Sequence, residues 1–293
     1  MTRSGFVALA GRPNVGKSTF VNAVVGEKVA IVSDRPQTTR RAIRGVYHGP
    51  GCELVLVDLP GVQRPRDALT SRMARRVTQE LEGADAALLV LGGDQGVGPG
   101  DRYIAHTLAA GDVPVTIAVN KVDRVSTASL AAVLEDAAQL APGREVFPIS
   151  ARRGAGLPAL LEHLASLVPE GPFMYAPDAV SDQPRDVLLA ELIREAAVRR
   201  TFRELPHALE VVIDELDRPR AGLTRVRALI WVESESQKGI LIGARGSMIK
   251  AIGTAARKEL ERVLGEQVHL DLSVRVRRDW RGDEALLDRL GIE

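Results

Sequence analysis

Gly11-Arg12-Pro13-Asn14-Val15-Gly16-Lys17-Ser18 is the stretch from which the rest of the chain can be read. It fits G-x-x-x-x-G-K-[ST], follows an apolar run, Phe6 to Ala10, and opens a helical pattern, Lys17 to Val25. That strand–loop–helix setting is what a phosphate cradle requires. Glycines let backbone N–H groups turn inward on phosphates, and the helix N-terminus adds a favourable dipole. In such a cradle Lys17 reaches the β- and γ-phosphates, Ser18 ligates Mg²⁺, and Thr19 continues the wall. A glycine-rich turn with a surface lysine is the plainer alternative, and the flanking strand and helix argue against it.

Outward from this motif, short β-branched runs alternate with helical patterns as far as Val168, the mark of a mostly parallel sheet wrapped by helices. Strands are expected at Phe6 to Ala10, Ala42 to Tyr47, Glu53 to Asp58, Ala86 to Leu91, Val115 to Asn120 and Glu145 to Ile149. Helices are expected at Lys17 to Val25, Leu69 to Leu81, Asp101 to Ala110, Leu130 to Leu140 and Leu157 to Leu167. The irregular stretch Gly26 to Arg41 is too long for an ordinary connection and reads as a functional loop. Four prolines without any period mark 169–184 as a linker between a domain at 1–168 and another at 185–293. The chain has 293 residues, 39 Lys+Arg against 38 Asp+Glu, and one cysteine, Cys52. Its length suits two domains, and a lone thiol excludes an internal disulfide or a cysteine zinc cluster. Near-neutral charge confines any nucleic-acid surface to a local patch. No apolar run suits a signal peptide or membrane span, so a cytoplasmic location is expected.

Three further motifs fall at strand ends. Asp58-Leu59-Pro60-Gly61 puts a carboxylate at the sheet edge, where it can hold Mg²⁺ through water while the Gly61 N–H meets a γ-phosphate. Asn120-Lys121-Val122-Asp123 selects the base, because one carboxylate can accept from both guanine N1–H and its exocyclic amine, a donor pair that adenine lacks. A backbone N–H at Ser150-Ala151 is expected at guanine O6. In the long loop, Gln37-Thr38-Thr39-Arg40 offers a hydroxyl to complete the Mg²⁺ shell, and Thr39 is preferred to Thr38. Position 62 is valine, which cannot orient an attacking water, so slow intrinsic turnover is expected. The expected ligands are therefore GTP or GDP with Mg²⁺.

The second half reads helix (Val187 to Arg200), two strands (Ala208 to Leu216, Val226 to Val232), helix (Ser247 to Leu264), strand (Val268 to Arg277) and a closing helix (Asp283 to Leu290), an α+β layer. Within it, Lys238-Gly239-Ile240-Leu241-Ile242-Gly243-Ala244-Arg245-Gly246 holds a G-x-x-G between an apolar segment and a helix, a loop that clamps about four nucleotides in KH domains. Lys238, Arg245, Lys250, Arg257 and Lys258 are five cations in a stretch with no acid. Ile240 and Ile242 would supply an aliphatic groove. A solvated basic helix is the plainer alternative.

With these motifs in place the chain resembles the Era-type GTPases of bacteria, a Ras-like P-loop G domain followed by a type II KH domain. The resemblance runs from Gly11 to Val276-Arg-Arg-Asp279-Trp280-Arg281 and departs mildly, with Leu59 where threonine is usual and Ala244-Arg245 in the clamp. It implies an α/β domain with a six-stranded sheet, GTP hydrolysis, and binding near the 3′ end of 16S ribosomal RNA during assembly of the small (30S) subunit. It also implies some peripheral contact with the inner membrane; a monomer is expected. Two other readings stay open: an RNA scaffold that holds nucleotide without useful hydrolysis, and a membrane-linked signalling GTPase.

Overall fold

The computed structural model describes residues 1–33, 39–61 and 67–292. Contacts divide the chain into two compact units, the first reaching Asp182 and the second starting at Gln183, apart from short pieces of two loops.

The first unit holds β1 (Arg3–Ala10), α1 (Lys17–Val25), β2 (Ile43–Gly49), β3 (Cys52–Asp58), α2 (Ala68–Glu82), β4 (Ala86–Gly92), α3 (Pro99–Ala109), β5 (Val115–Asn120), α4 (Thr127–Leu140), β6 (Val146–Pro148) and α5 (Leu157–Leu167). Its six strands lie in the order β2-β3-β1-β4-β5-β6, with β2 antiparallel to β3 and every other pair parallel. Strands β3, β4 and β5 are buried along their whole length, as continuous apolar runs in a parallel sheet must be. The pleat splits β4 between two cores: Ala86, Leu88 and Val90 pack with Phe20, Leu160 and Leu164, while Ala87, Leu89 and Leu91 pack with Ile104, Leu108 and Val133. Helices therefore cover both faces, and the carboxyl ends of β1, β3 and β5 bring the three nucleotide motifs to one edge.

The stretch 169–182 is tied to this unit more closely than its prolines suggest. Ser4 N–H donates to Pro169 O at 3.1 Å, and Val46 N–H of β2 donates to Val180 O at 2.9 Å. The fully buried Glu53 carboxylate accepts from Met174 N–H at 2.8 Å, Tyr175 N–H at 3.2 Å and the Ser4 hydroxyl at 2.8 Å. β2 is the sheet's edge, and its outward backbone groups need partners that the segment supplies.

The second unit contains α6 (Arg185–Val198), α7 (Leu205–Ala208), β7 (Glu210–Arg220), β8 (Leu223–Val232), α8 (Glu235–Ile242), α9 (Ser247–Leu264), β9 (Gln267–Val276) and α10 (Glu284–Arg289). Its sheet runs β7-β8-β9, with β7 antiparallel and β9 parallel to β8. In β9, Val268 and Val274 are buried and Leu270, Leu272 and Val276 half-buried, whereas His269, Asp271, Ser273 and Arg275 are exposed, the alternation of a strand with one covered face and one in water. On α9, Ile252, Ala256 and Leu260 form the buried stripe. Helix α8 stands where only an apolar segment was expected. Gly239 and the β-branched Ile240 and Ile242 conceal it, but its start is marked: Ser234 Oγ accepts from Gln237 N–H at 3.3 Å, and Gln237 reaches back to Glu233 N–H at 2.8 Å.

Candidate functional site

The cradle forms because its backbone takes conformations that few side chains tolerate. Asn14 (φ 65°) and Gly16 (φ 104°) are left-handed, and a Cβ at Gly16 would run into the Asn120 amide. Lys17 is buried, with Nζ donating to Gly11 O at 3.0 Å and Arg12 O at 3.2 Å. Burial lowers its pKa, and the attraction of Asp58 opposes the shift. The Arg12 side chain turns away: its guanidinium lies 2.9 and 2.8 Å from the two carboxylate oxygens of buried Asp101 and donates to Gly96 O at 3.0 Å. It braces the cradle against α3, so only its backbone remains for phosphate. Val15 is core, and Pro13 packs against the next motif.

Asp58, at the end of β3, has no exposed surface. Its Oδ2 accepts from Ser18 Oγ at 2.5 Å and Thr39 Oγ1 at 3.4 Å, and the two hydroxyls are 3.2 Å apart. Its Oδ1 has no hydrogen-bond partner among the described residues. Burial pushes the Asp58 carboxyl above the usual range, with Lys17 and then the two hydroxyls pulling the other way. A carboxylate with an orphaned oxygen beside two hydroxyls is a hard-oxygen set that fits Mg²⁺. Thr39 is thus in this cluster, while Gln37, Thr38 and Val62 lie outside the described residues. A Cβ at Gly61 would sit 2.8 Å from Pro13 Cγ, so the Asp58 to Gly61 motif lies directly against the cradle. Leu59 and Pro60 are buried, and the Leu59 side chain joins a core cluster with Ala8, Val57 and Val77, leaving it no surface to offer a nucleotide.

Asn120 is a cross-brace. Its Nδ2 donates to Val15 O at 2.9 Å, and its Oδ1 accepts from Lys121 N–H at 2.8 Å and Ala151 N–H at 3.0 Å. One amide therefore joins the cradle, its own loop and the Ser150-Ala151 turn, and of the two N–H groups expected near guanine O6 that of Ala151 is engaged by it while that of Ser150 donates to Ala155 O at 2.9 Å. Lys121, left-handed at φ 67°, reaches Asp94 at 3.0 Å, a partner that no motif announced. Asp123 accepts from Ser150 Oγ at 2.6 Å, which holds its carboxyl below the usual range, Arg153 and Arg124 adding to the effect. The charged form is thereby secured and oriented. At the start of the long loop, Asn22 accepts from Val29 N–H at 3.0 Å and Ala30 N–H at 2.9 Å.

In the second unit the G-x-x-G turn joins α8 to α9. Gly243 (φ 71°), Arg245 (φ 53°) and Gly246 (φ 77°) are all left-handed, and a Cβ at Gly243 would lie 2.8 Å from Met248 Cβ. Ala244, Arg245, Lys250 and Arg257 are exposed, as is Ile240; Ile242 is half-buried and Leu241 fully buried. The acid-free stretch gains acids from the fold, since Glu235 lies 4.0 Å from Lys238 and Glu261 lies 3.9 Å from Arg257. Arg245 and Lys250 carry no such neighbour among the described residues.

Residues 6–121 match the family of 50S ribosome-binding GTPases, and residues 204–281 match the KH domain. GTPase Era of Lactobacillus helveticus is 42% identical over 291 residues, covering 99% of this chain and 96% of the relative. GTPase Era of Mycobacterium avium is 45% identical over 294 residues, covering 99% and 98%. The chain belongs to the GTPase Era family. A crystal structure of Era in complex with MgGDPNP and nucleotides 1506–1542 of 16S ribosomal RNA superposes with a TM-score of 0.95 at 34% identity, covering 100% of this chain and 99% of that one. A variant of Aquifex aeolicus Era bound to GDP·AlF4⁻ gives the same score and identity, covering 99% of each. This Era-family chain is accordingly a GTPase, with GTP and GDP as substrate and product and Mg²⁺ as cofactor, built as a Ras-like domain followed by a KH domain.

Proposed function

We propose that this GTPase binds the 3′ region of 16S ribosomal RNA through its KH clamp and assists assembly of the small ribosomal subunit. The single observation that carries the reading is that a cluster of two hydroxyls on a buried carboxylate (Ser18, Thr39 and Asp58) and a left-handed G-x-x-G turn with free cations occur in one chain. The solved relative with 16S nucleotides supports the choice of RNA.

In the reaction, backbone N–H groups of 11–18 orient the phosphates and Lys17 exchanges its two carbonyls for phosphate oxygens. Ser18 and Thr39, with Asp58 behind them, would hold Mg²⁺, which neutralises charge developing on the phosphates. Gly61 N–H faces the γ-phosphate. Asp123, held ionised by Ser150, pairs guanine's two donors. With valine at 62, the attacking water is positioned by backbone, by another loop, by a bound cation or by a partner. We further propose that the protein acts in the cytoplasm as a monomer, with weak peripheral association with the inner membrane.

The test is Gly243→Asp, which puts bulk and negative charge where backbone must approach phosphate. The variant should lose binding to the 16S segment 1506–1542 and keep GTP turnover in the absence of RNA. A folded Gly243→Asp protein with unchanged RNA affinity would refute the assignment.

A further inference from the structure

The clamp leaves the arginine-rich end of β9 without a role. Arg277 N–H extends the ladder beyond Val276 by donating to Val232 O at 2.7 Å. Trp231 of β8 stands directly across from Arg275 in the register, and the Arg277 guanidinium lies 5.2 Å from the Trp231 ring centroid. Trp231 is half-buried, while Arg275, Arg277 and Arg278 are exposed.

Three arginines of this sheet face acids, while Arg220 at the end of β7 has no acidic partner among the described residues. Arg227 lies 2.5 Å from Glu215 and 3.8 Å from Asp271, Arg225 lies 3.5 Å from Asp217, and Arg218 lies 2.7 Å from Glu266. At the Trp231 end the pattern stops. Arg275 and Arg278 have no acidic partner among the described residues, and Arg277 has Asp283 at 3.8 Å, with both side chains 44% exposed. Unneutralised cations beside a flat ring complement a polyanion carrying flat bases. A guanidinium held over an indole offers one more planar face to a base and a fork of N–H groups to phosphate. These side chains stand on the sheet face turned away from buried Ile230 and Val274, and β9 is the sheet's edge, so RNA would reach them from the clamp around that edge. β8 leads through Glu233 and Ser234 into α8, whose eight residues span about 12 Å before Gly243.

We propose that Trp231, Arg275 and Arg277 form a second RNA contact, taking an unpaired nucleotide beyond those held by the G-x-x-G turn, with its base on the Arg277–Trp231 stack and its phosphate on Arg275. The proposal rests on the RNA-binding reading above.

The test titrates the full-length protein with the 16S segment 1506–1542 across a salt series. Arg275→Ala with Arg277→Ala should flatten the slope of log affinity against log salt by about 0.7, the value for the one single-strand phosphate contact assigned to Arg275. Trp231→Leu should weaken binding roughly five- to a hundredfold; Trp231→Phe, which keeps a ring, should lose less and guards against a packing defect. The wild type's indole emission should fall as RNA is added. Trp280, the other tryptophan, is fully buried with its N–H on Ala208 O, so that change reports Trp231. Wild-type binding that Gly243→Asp abolishes, with slope unchanged in the double variant and emission unaltered, would overturn the second contact alone. Absence of any wild-type RNA binding would overturn the RNA reading and this contact with it.

Discussion

Replacing Asn120 separates a brace from a base contact. In Asn120→Ala, Val15 O, Lys121 N–H and Ala151 N–H lose their partner together, and the side chain they lose is 2% exposed. Lys121 N–H is the most able to find water; the other two bonds are in buried surroundings. Stranding a buried polar group costs about 1–3 kcal/mol, so two such groups, relaxing in part, predict a loss of about 2–4 kcal/mol. For a unit of this size that lowers the melting temperature by about 5–15 °C. Asn120→Asp is the sharper variant, because it keeps the acceptor for both N–H groups and turns the donor facing Val15 O into a second acceptor. Thermal unfolding without nucleotide, alongside titration with a fluorescent GDP analogue, reads both consequences. The expected result is a destabilised nucleotide-free protein, with affinity falling because three loops lose their common tie. Unchanged melting temperatures with lost GDP affinity would refute the brace and make Asn120 a direct base contact.

Other substitutions probe the rest of the site. Asp123→Asn should shift preference from guanine to xanthine nucleotides, since the new amide offers a donor where guanine also donates; competition binding measures this, and equal wild-type affinity for ATP and GTP would contradict the assignment. Lys17→Ala should reduce GTP turnover by at least about 10²-fold, whereas Val62→Ala should retain most of it; phosphate-release rates compare the two. Because burial raises the Asp58 pKa, the folded protein holds that proton to higher pH than the unfolded chain. The favourable contribution is therefore complete below the unfolded carboxyl's ordinary pKa and is lost as pH rises through the raised folded value. Asp58→Asn should accordingly melt higher than wild type in EDTA at neutral pH and lose Mg²⁺-dependent turnover. A lower melting temperature would mean that attraction to Lys17 outweighs burial.

The catalytic edge was legible because each motif ends a strand or opens a helix, and strand periodicity places those ends. The cradle, Asp58 and Asp123 needed only the pattern of a parallel sheet, since such a sheet gathers its carboxyl ends at one edge. The choice of Thr39 over Thr38 rested on adjacency to Arg40, and the 3.2 Å separation from Ser18 brings that hydroxyl to the cluster. Helix α8 was harder to read. Two β-branched residues and a glycine in eight positions weaken its helical signal, so only the Ser234 and Gln237 cap betrays it.

What stayed hidden shares one physical cause. The brace made by Asn120 and the burial of Glu53 each direct a polar side chain to main-chain groups far away in sequence: Asn120 to Val15 and Ala151, and Glu53 to Met174 and Tyr175. Every residue carries the same backbone donor and acceptor, so such bonds leave no complementary residue type at the far end and no spacing to detect. Residue patterns therefore mark groups that meet substrate, whose chemistry demands particular side chains, and miss groups that meet backbone. The 169–182 segment illustrates the consequence. Its prolines announce irregular structure correctly, yet Glu53 sits inside a strand where a carboxylate has no sequence-visible reason to be buried. Burying that charge is tolerable only because three donors converge on it. Two of those donors come from the segment itself, so the burial of Glu53 and the docking of 170–175 are one structural fact, and Glu53→Ala should loosen the segment while leaving the nucleotide motifs untouched.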